Sequence, residues 1–121
     1  MQIALWIVSA FVALAFLASG LTKIFASQEA LAKRMPFSRD YTRRQVRAIG
    51  IVEVLGAIGV ILPVATGILP WLTVVAAFGL VLTMIGAIVV HLRRNEASAV
   101  PVNIVLLVLA LFVAVGRLFY S

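Results

Sequence analysis

Four apolar runs, each long enough to cross a bilayer, constrain this chain more than any other feature of its sequence. Ile3 to Phe25 is a run of 23 residues interrupted only by Ser9, Ser19, Thr22 and Lys23, and about 20 residues rising roughly 1.5 Å each traverse the ~30 Å hydrocarbon core. No basic segment precedes it, so a retained span is expected and not a cleaved leader. The second run emerges from the basic stretch ending at Arg47 and is expected to close near Leu62, because Pro63, Gly67 and Pro70 are turn residues. The third runs from Trp71, placed for an interfacial aromatic anchor, to Leu92, with Arg93 and Arg94 immediately outside. Pro101 suits the first turn of the fourth, which reaches about Phe119 with Tyr120 as a terminal anchor. The expected fold is an all-α, four-helix transmembrane bundle in one domain, residues 1–121, with spans at about 3–25, 46–62, 71–92 and 102–119.

Composition points the same way. Of 121 residues, 64% are hydrophobic and 12% charged, against about 45–50% and about 25% in soluble domains. The bilayer therefore takes up the apolar surface, and packing between helices sets the fold. The lack of cysteine excludes disulfides, thiol catalysis and thiolate metal sites. A net charge of +6 would suggest nucleic acid in a soluble domain, but here the basic residues sit in connections beside apolar spans and read as a topology signal.

Lys33, Arg34, Arg39, Arg43, Arg44, Arg47, Arg93 and Arg94 fall in the first and third connections, whereas the opposite side has only Arg117. Both termini are expected outside the cytoplasm of a cell membrane, a bacterial inner membrane. So strong a bias also argues against dual-topology dimers, which need nearly balanced charges to insert both ways. The polar connection 27–45 divides at Met35-Pro36, since a residue before proline is pushed out of helical geometry. Ser27 is expected to cap a short interfacial helix between spans 1 and 2, with Ala30, Leu31 and Met35 set against Lys33 and Arg34. Ser38 is a second cap candidate with Asp40 in the following turn, from which a helix is expected to run through Arg39, Arg43, Arg44 and Arg47 into span 2.

Within the apolar spans, a few polar residues carry most of the functional signal. Glu53 lies six residues beyond Arg47, roughly 9 Å deeper on a helix. Its face holds Val46, Gly50, Gly56, Ala57 and Val60, mostly small residues that let neighbours approach, so the acid is expected to point into the bundle. It either fixes helix register through a pair or serves as a ligand or proton site. Lys23 sits at the same membrane face, close enough to pair with Glu53, although a lysine there can instead snorkel to the headgroups. His91 closes span 3 at that face, where an imidazole can donate to a carboxylate or change charge near neutral pH; a hydrogen-bonded interfacial role is the plainer alternative. Asn103 opens span 4, heading a stripe with Leu107, Ala110, Ala114 and Arg117, where a helix–helix hydrogen bond worth ~0.6 kcal/mol is the bland role. Four polar side chains from four spans thus converge on one leaflet. A lone histidine and two nearby carboxylates fall short of a metal set. No glycine-rich phosphate loop and no serine poised beside a base is found.

The stretches Gly20-Leu-Thr-Lys23, IGIVEVLGAIGVILP from Ile49 to Pro63, LTMIGAIVVHLRR from Leu82 to Arg94, Asn103, and FVAVGR from Phe112 to Arg117 together resemble the DoxX-like family of small four-span membrane proteins. The order Lys23, Glu53, His91, Asn103 matches the polar positions of that family. The resemblance implies a heterogeneous range of roles: association with thiosulfate and quinone oxidation complexes in microbes, and, in a distant animal relative, assembly of receptor channels. Without cysteine, a thiol relay through this chain is not expected.

The leading expectation is a non-enzymatic accessory or assembly protein whose cytoplasmic-side cluster engages a lipid headgroup or a protein partner, with no cofactor. One alternative is a quinone-binding or redox-complex subunit using His91 and Glu53 as proton acceptor and relay. Another is proton-coupled transport of a small solute through Glu53. Gly79, Thr83 and Gly86 form a small-residue stripe on span 3 that suits either a second copy or packing within the bundle.

Overall fold

The computed structural model describes residues 1–35 and 41–120. In hydrocarbon a backbone has no water to bond, so apolar runs of this length satisfy their N–H and C=O groups as helices. The chain forms α1 (Gln2–Phe25), α2 (Gln28–Arg34), α3 (Arg43–Thr66), α4 (Trp71–Arg93) and α5 (Val100–Tyr120), the last preceded by a single 3₁₀ turn at Ala97–Ala99. All but α2 are long and apolar enough to cross a membrane. Only 28% of each span's most apolar stretch is buried within the protein, so the outward faces, with Ile7, Leu14, Leu55 and Leu82 among them, meet lipid.

Local chemistry sets the helix ends. Ser27 caps α2, its Oγ accepting from the Ala30 N–H at 3.1 Å. The start of α3 differs from the expectation above. Thr42, not Ser38, is the cap: its Oγ1 accepts from the Gln45 N–H at 3.1 Å, while the Gln45 side chain accepts from the Thr42 N–H at 2.9 Å. This reciprocal box satisfies two amides that the first turn would otherwise leave bare, so the helix begins at Arg43. Ser38, Arg39 and Asp40 lie outside the described residues. The end of α3 also differs. The helix passes through Pro63 to Thr66 and stops at Gly67, whose φ of +72° is the left-handed conformation of a glycine cap. Pro63 lies in the last turn, so its ring removes a single bond, to the Gly59 carbonyl.

The bundle is built from two close pairs, α1 with α3 and α4 with α5, joined by an α3–α4 seam and a lighter α1–α5 seam. Backbones touch in the first pair: a Cβ on Gly20 would lie 2.6 Å from the Gly50 carbonyl oxygen, and one on Gly50 would lie 2.7 Å from that of Gly20. Only glycine at both positions permits this approach. The seams between pairs close toward the termini. Gly59 faces Ala76 and Gly56 faces Leu80 across α3–α4, and Gly116 accommodates Leu5 across α1–α5. The shared core lies there too, with Val12 and Phe16 from α1, Ala57 and Val60 from α3, Ala77 and Leu80 from α4, and Ala110 and Val113 from α5.

Candidate functional site

At the other end of the bundle, where the connections lie, the two pairs enclose a cleft of about 930 Å³. Its walls come from all four spans, and Lys23, Glu53, His91 and Asn103 all line it. The deep part is apolar, with Ala15, Phe16 and Met84. Met35 and Tyr41 from the first connection and Ser98 and Ala99 from the third edge the mouth.

Glu53 is 1% exposed and Lys23 7%, and the two are joined by a direct hydrogen-bonded ion pair. The same ammonium donates to Ser19 Oγ at 2.8 Å, one turn back on α1. Geometry accounts for the pairing: Lys23 and Glu53 share the faces of Gly20 and Gly50, and because α1 and α3 run antiparallel the lysine lies on the connection side of that glycine contact and the acid on its deep side, so the long lysine stem reaches inward past the contact to the carboxylate. Lys23 therefore reaches the acid inside the bundle and does not snorkel. A cation and an anion that would each be costly in lipid are brought in together.

His91 is committed elsewhere. Its Nδ1 lies 3.1 Å from Glu96 Oε1, and Arg94 Nε donates to that same oxygen at 3.3 Å. Asn95 adopts φ +58°, a left-handed turn that asparagine tolerates, and this folds Glu96 back over the end of α4. Glu96 was not among the candidates drawn from the sequence. The available signal was an acid in a link at the same membrane face as a histidine and two arginines. Asn103 contributes its carboxamide from the opposite wall. Its Nδ2 is buried and has no hydrogen-bond partner among the described residues.

Arg43, Arg44, Arg47, Arg93 and Arg94, expected to determine topology, lie at the start of α3 and the end of α4, with Arg44, Arg47 and Arg93 exposed and Arg43 and Arg94 half-buried. Arg117 is a different case. It is 2% exposed, donates through Nη1 to Gln2 Oε1 at 2.8 Å, and stacks 4.9 Å from the centre of the Trp6 ring. It ties α5 to α1 at the end opposite the cleft.

Four apolar helices in two close pairs, with a buried ion pair and a one-sided cleft between them, define a small four-span integral membrane protein. The family profile for the DoxX-like family matches residues 7–113. The chain belongs to that family. Searches of curated proteins and of solved structures gave no match.

Proposed function

We propose that this protein is a non-enzymatic accessory subunit of the membrane that holds the polar end of an amphipathic membrane molecule in its cleft. One observation carries the reading: a space of about 930 Å³ lined by all four spans is polar toward the connections and apolar in its depth. Ligand sites are typically about 300–1,000 Å³, largely apolar, with a few placed polar groups. A protein partner is compatible with this occupant, since Arg44, Arg47 and Arg93 are exposed at the same end of the bundle. Purification with native lipid should recover a stoichiometric lipid or partner. Recovery of the protein alone at several salt concentrations overturns the proposal.

The basic residues of the first and third connections orient the cleft toward the cytoplasm of a bacterial inner membrane, with both termini outside. Because the chain has no cysteine, single cysteines report this directly. An impermeant thiol reagent on intact cells should label Met1→Cys placed behind a new start residue and spare Ala97→Cys. The reverse pattern refutes the orientation.

A second reading, a quinone-binding subunit of a redox complex, is favoured by one feature: two carboxylates and an imidazole, those of Glu53, Glu96 and His91, line the same cleft and could pass protons to a reduced ring. Extracted protein free of quinone, together with unchanged membrane quinone reduction in Glu53→Gln, would end it.

A further inference from the structure

The cleft's charges are already matched. Lys23 is paired with Glu53, and Glu96 takes both Arg94 and the His91 ring. Lys23, Arg94, Glu53 and Glu96 sum to zero. A charged head entering among these groups would find their counter-charges already taken, since Arg43, whose Nη1 is buried without a partner among the described residues, and the exposed Arg44, Arg47 and Arg93 are not part of the cleft lining. What the cleft does hold in reserve is a donor: Asn103 Nδ2, buried and without an acceptor among the described residues. A buried donor left unmade is costly, and a neutral carbonyl oxygen suffices to satisfy it.

The apolar part has length as well as volume. Phe16 and Ala15 lie seven and eight residues deeper than Lys23 on α1, and Met84 and Thr83 lie the same distances from His91 on α4, roughly 10–12 Å of helix rise. Gly86 is midway along this wall. A Cβ built there meets no atom within 4 Å, so the space it leaves belongs to the cleft and not to a neighbouring helix.

We infer that the cleft selects an amphiphile with an uncharged, hydrogen-bond-accepting head, held by Asn103, whose tail passes Gly86. This rests on the reading of the cleft as an amphiphile site. An acylglycerol ester and a quinone-type ring carbonyl share the required head chemistry. Lipids with an anionic head are drawn to the exposed arginines outside but are not taken inside.

The test is equilibrium binding of three radiolabelled probes to purified protein in uncharged detergent: monooleoylglycerol, oleoyl-lysophosphatidylglycerol and a decyl-substituted benzoquinone. A neutral probe should bind one per chain, at least tenfold tighter than the anionic one. Asn103→Leu should weaken it about tenfold, the scale of one buried hydrogen bond, and Gly86→Phe should abolish it while melting like the wild type. Should either variant fail to fold, Asn103→Ser and Gly86→Val are read in its place. Whichever neutral probe binds tighter identifies the source of the carbonyl. Equal or tighter binding of the anionic probe, or unchanged binding in the Asn103 variant, overturns the inference and leaves the amphiphile site standing. Failure of all three probes removes both.

Discussion

The Lys23–Glu53 pair gives the sharpest test of how this bundle is held. Glu53 is 1% exposed at its side chain and Lys23 8%, so in the paired state neither charge is in contact with bulk water. Removing one member of a buried pair costs about 3–5 kcal/mol, because it strands the other. Lys23→Leu should fall in that range, since Glu53 is 1% exposed and its short stem cannot follow water to the headgroups. Glu53→Leu should cost less, about 2–3 kcal/mol, because the lysine keeps Ser19 as an acceptor and has a flexible stem that can seek the headgroups. The double variant should lie within about 1 kcal/mol of wild type, since exchanging a buried pair for apolar residues is often neutral or better. The cycle then predicts a coupling of about 4 kcal/mol or more. Reversible unfolding of the four proteins in mixed micelles, followed by helical circular dichroism, measures it. Single losses that add to the double within about 0.5 kcal/mol would show that the two residues do not act as a pair.

Three further outcomes follow from particular contacts. Gly50→Val drives a side chain against the Gly20 carbonyl and the Lys23 Cβ, at 2.7 and 2.8 Å from its own Cβ, so a loss of about 3 kcal/mol, at the upper end for overpacking, is expected in the same unfolding assay; wild-type stability would mean α1 and α3 are not in backbone contact. Thr42→Ala breaks the capping box and should cost about 1 kcal/mol while speeding amide exchange at Gln45; unchanged exchange there would place the helix start elsewhere. Gln2→Leu takes from Arg117 an acceptor at 2.8 Å and should cost about 1.5–3 kcal/mol, the range for a hydrogen bond to a charged group; no loss would show that this contact does not tie α5 to α1.

Much of the fold was legible because hydrocarbon leaves so few options. Apolar length gave the spans, and Gly67, Pro70 and Pro101 marked the links between them. The ends were read less well for local reasons. Thr42 and Gln45 carry the capping-box spacing, yet Ser38, with an acid two residues on, offers the same cap chemistry in the sequence. Pro63 reads as a stop in the sequence, although a proline in the last turn forfeits only one bond and the helix can close around it. The polar residues of the site could be assigned to one membrane face by counting along each span. That His91 meets Glu96 depends on a left-handed residue at Asn95, which no periodicity reveals. That the polar residues wall one pocket at this face was legible too, but its width and apolar depth were not, because these are set by how two helix pairs separate, and small residues within a span do not disclose which neighbour they face.

How the pairs are tied suggests why the space opens where it does. At the connection end, the Gly20–Gly50 contact and the Lys23–Glu53 bridge act within the α1–α3 pair. The ion pairs of Glu96 act within the α4 end and its link to α5. At the other end the ties run between pairs: Arg117 to Gln2, Leu5 against Gly116, and Ala76 and Leu80 against the small residues of α3. Two stiff pairs joined at one end and closed on themselves at the other make a V, and its mouth lies at the membrane face rich in arginine. That face is also where an intramembrane acid is least costly, since Glu53 sits roughly 9 Å below Arg47 by helix rise and a lysine can be supplied from the neighbouring span. The space between the pairs is accordingly lined by residues of all four spans, with its polar side chains toward the connections.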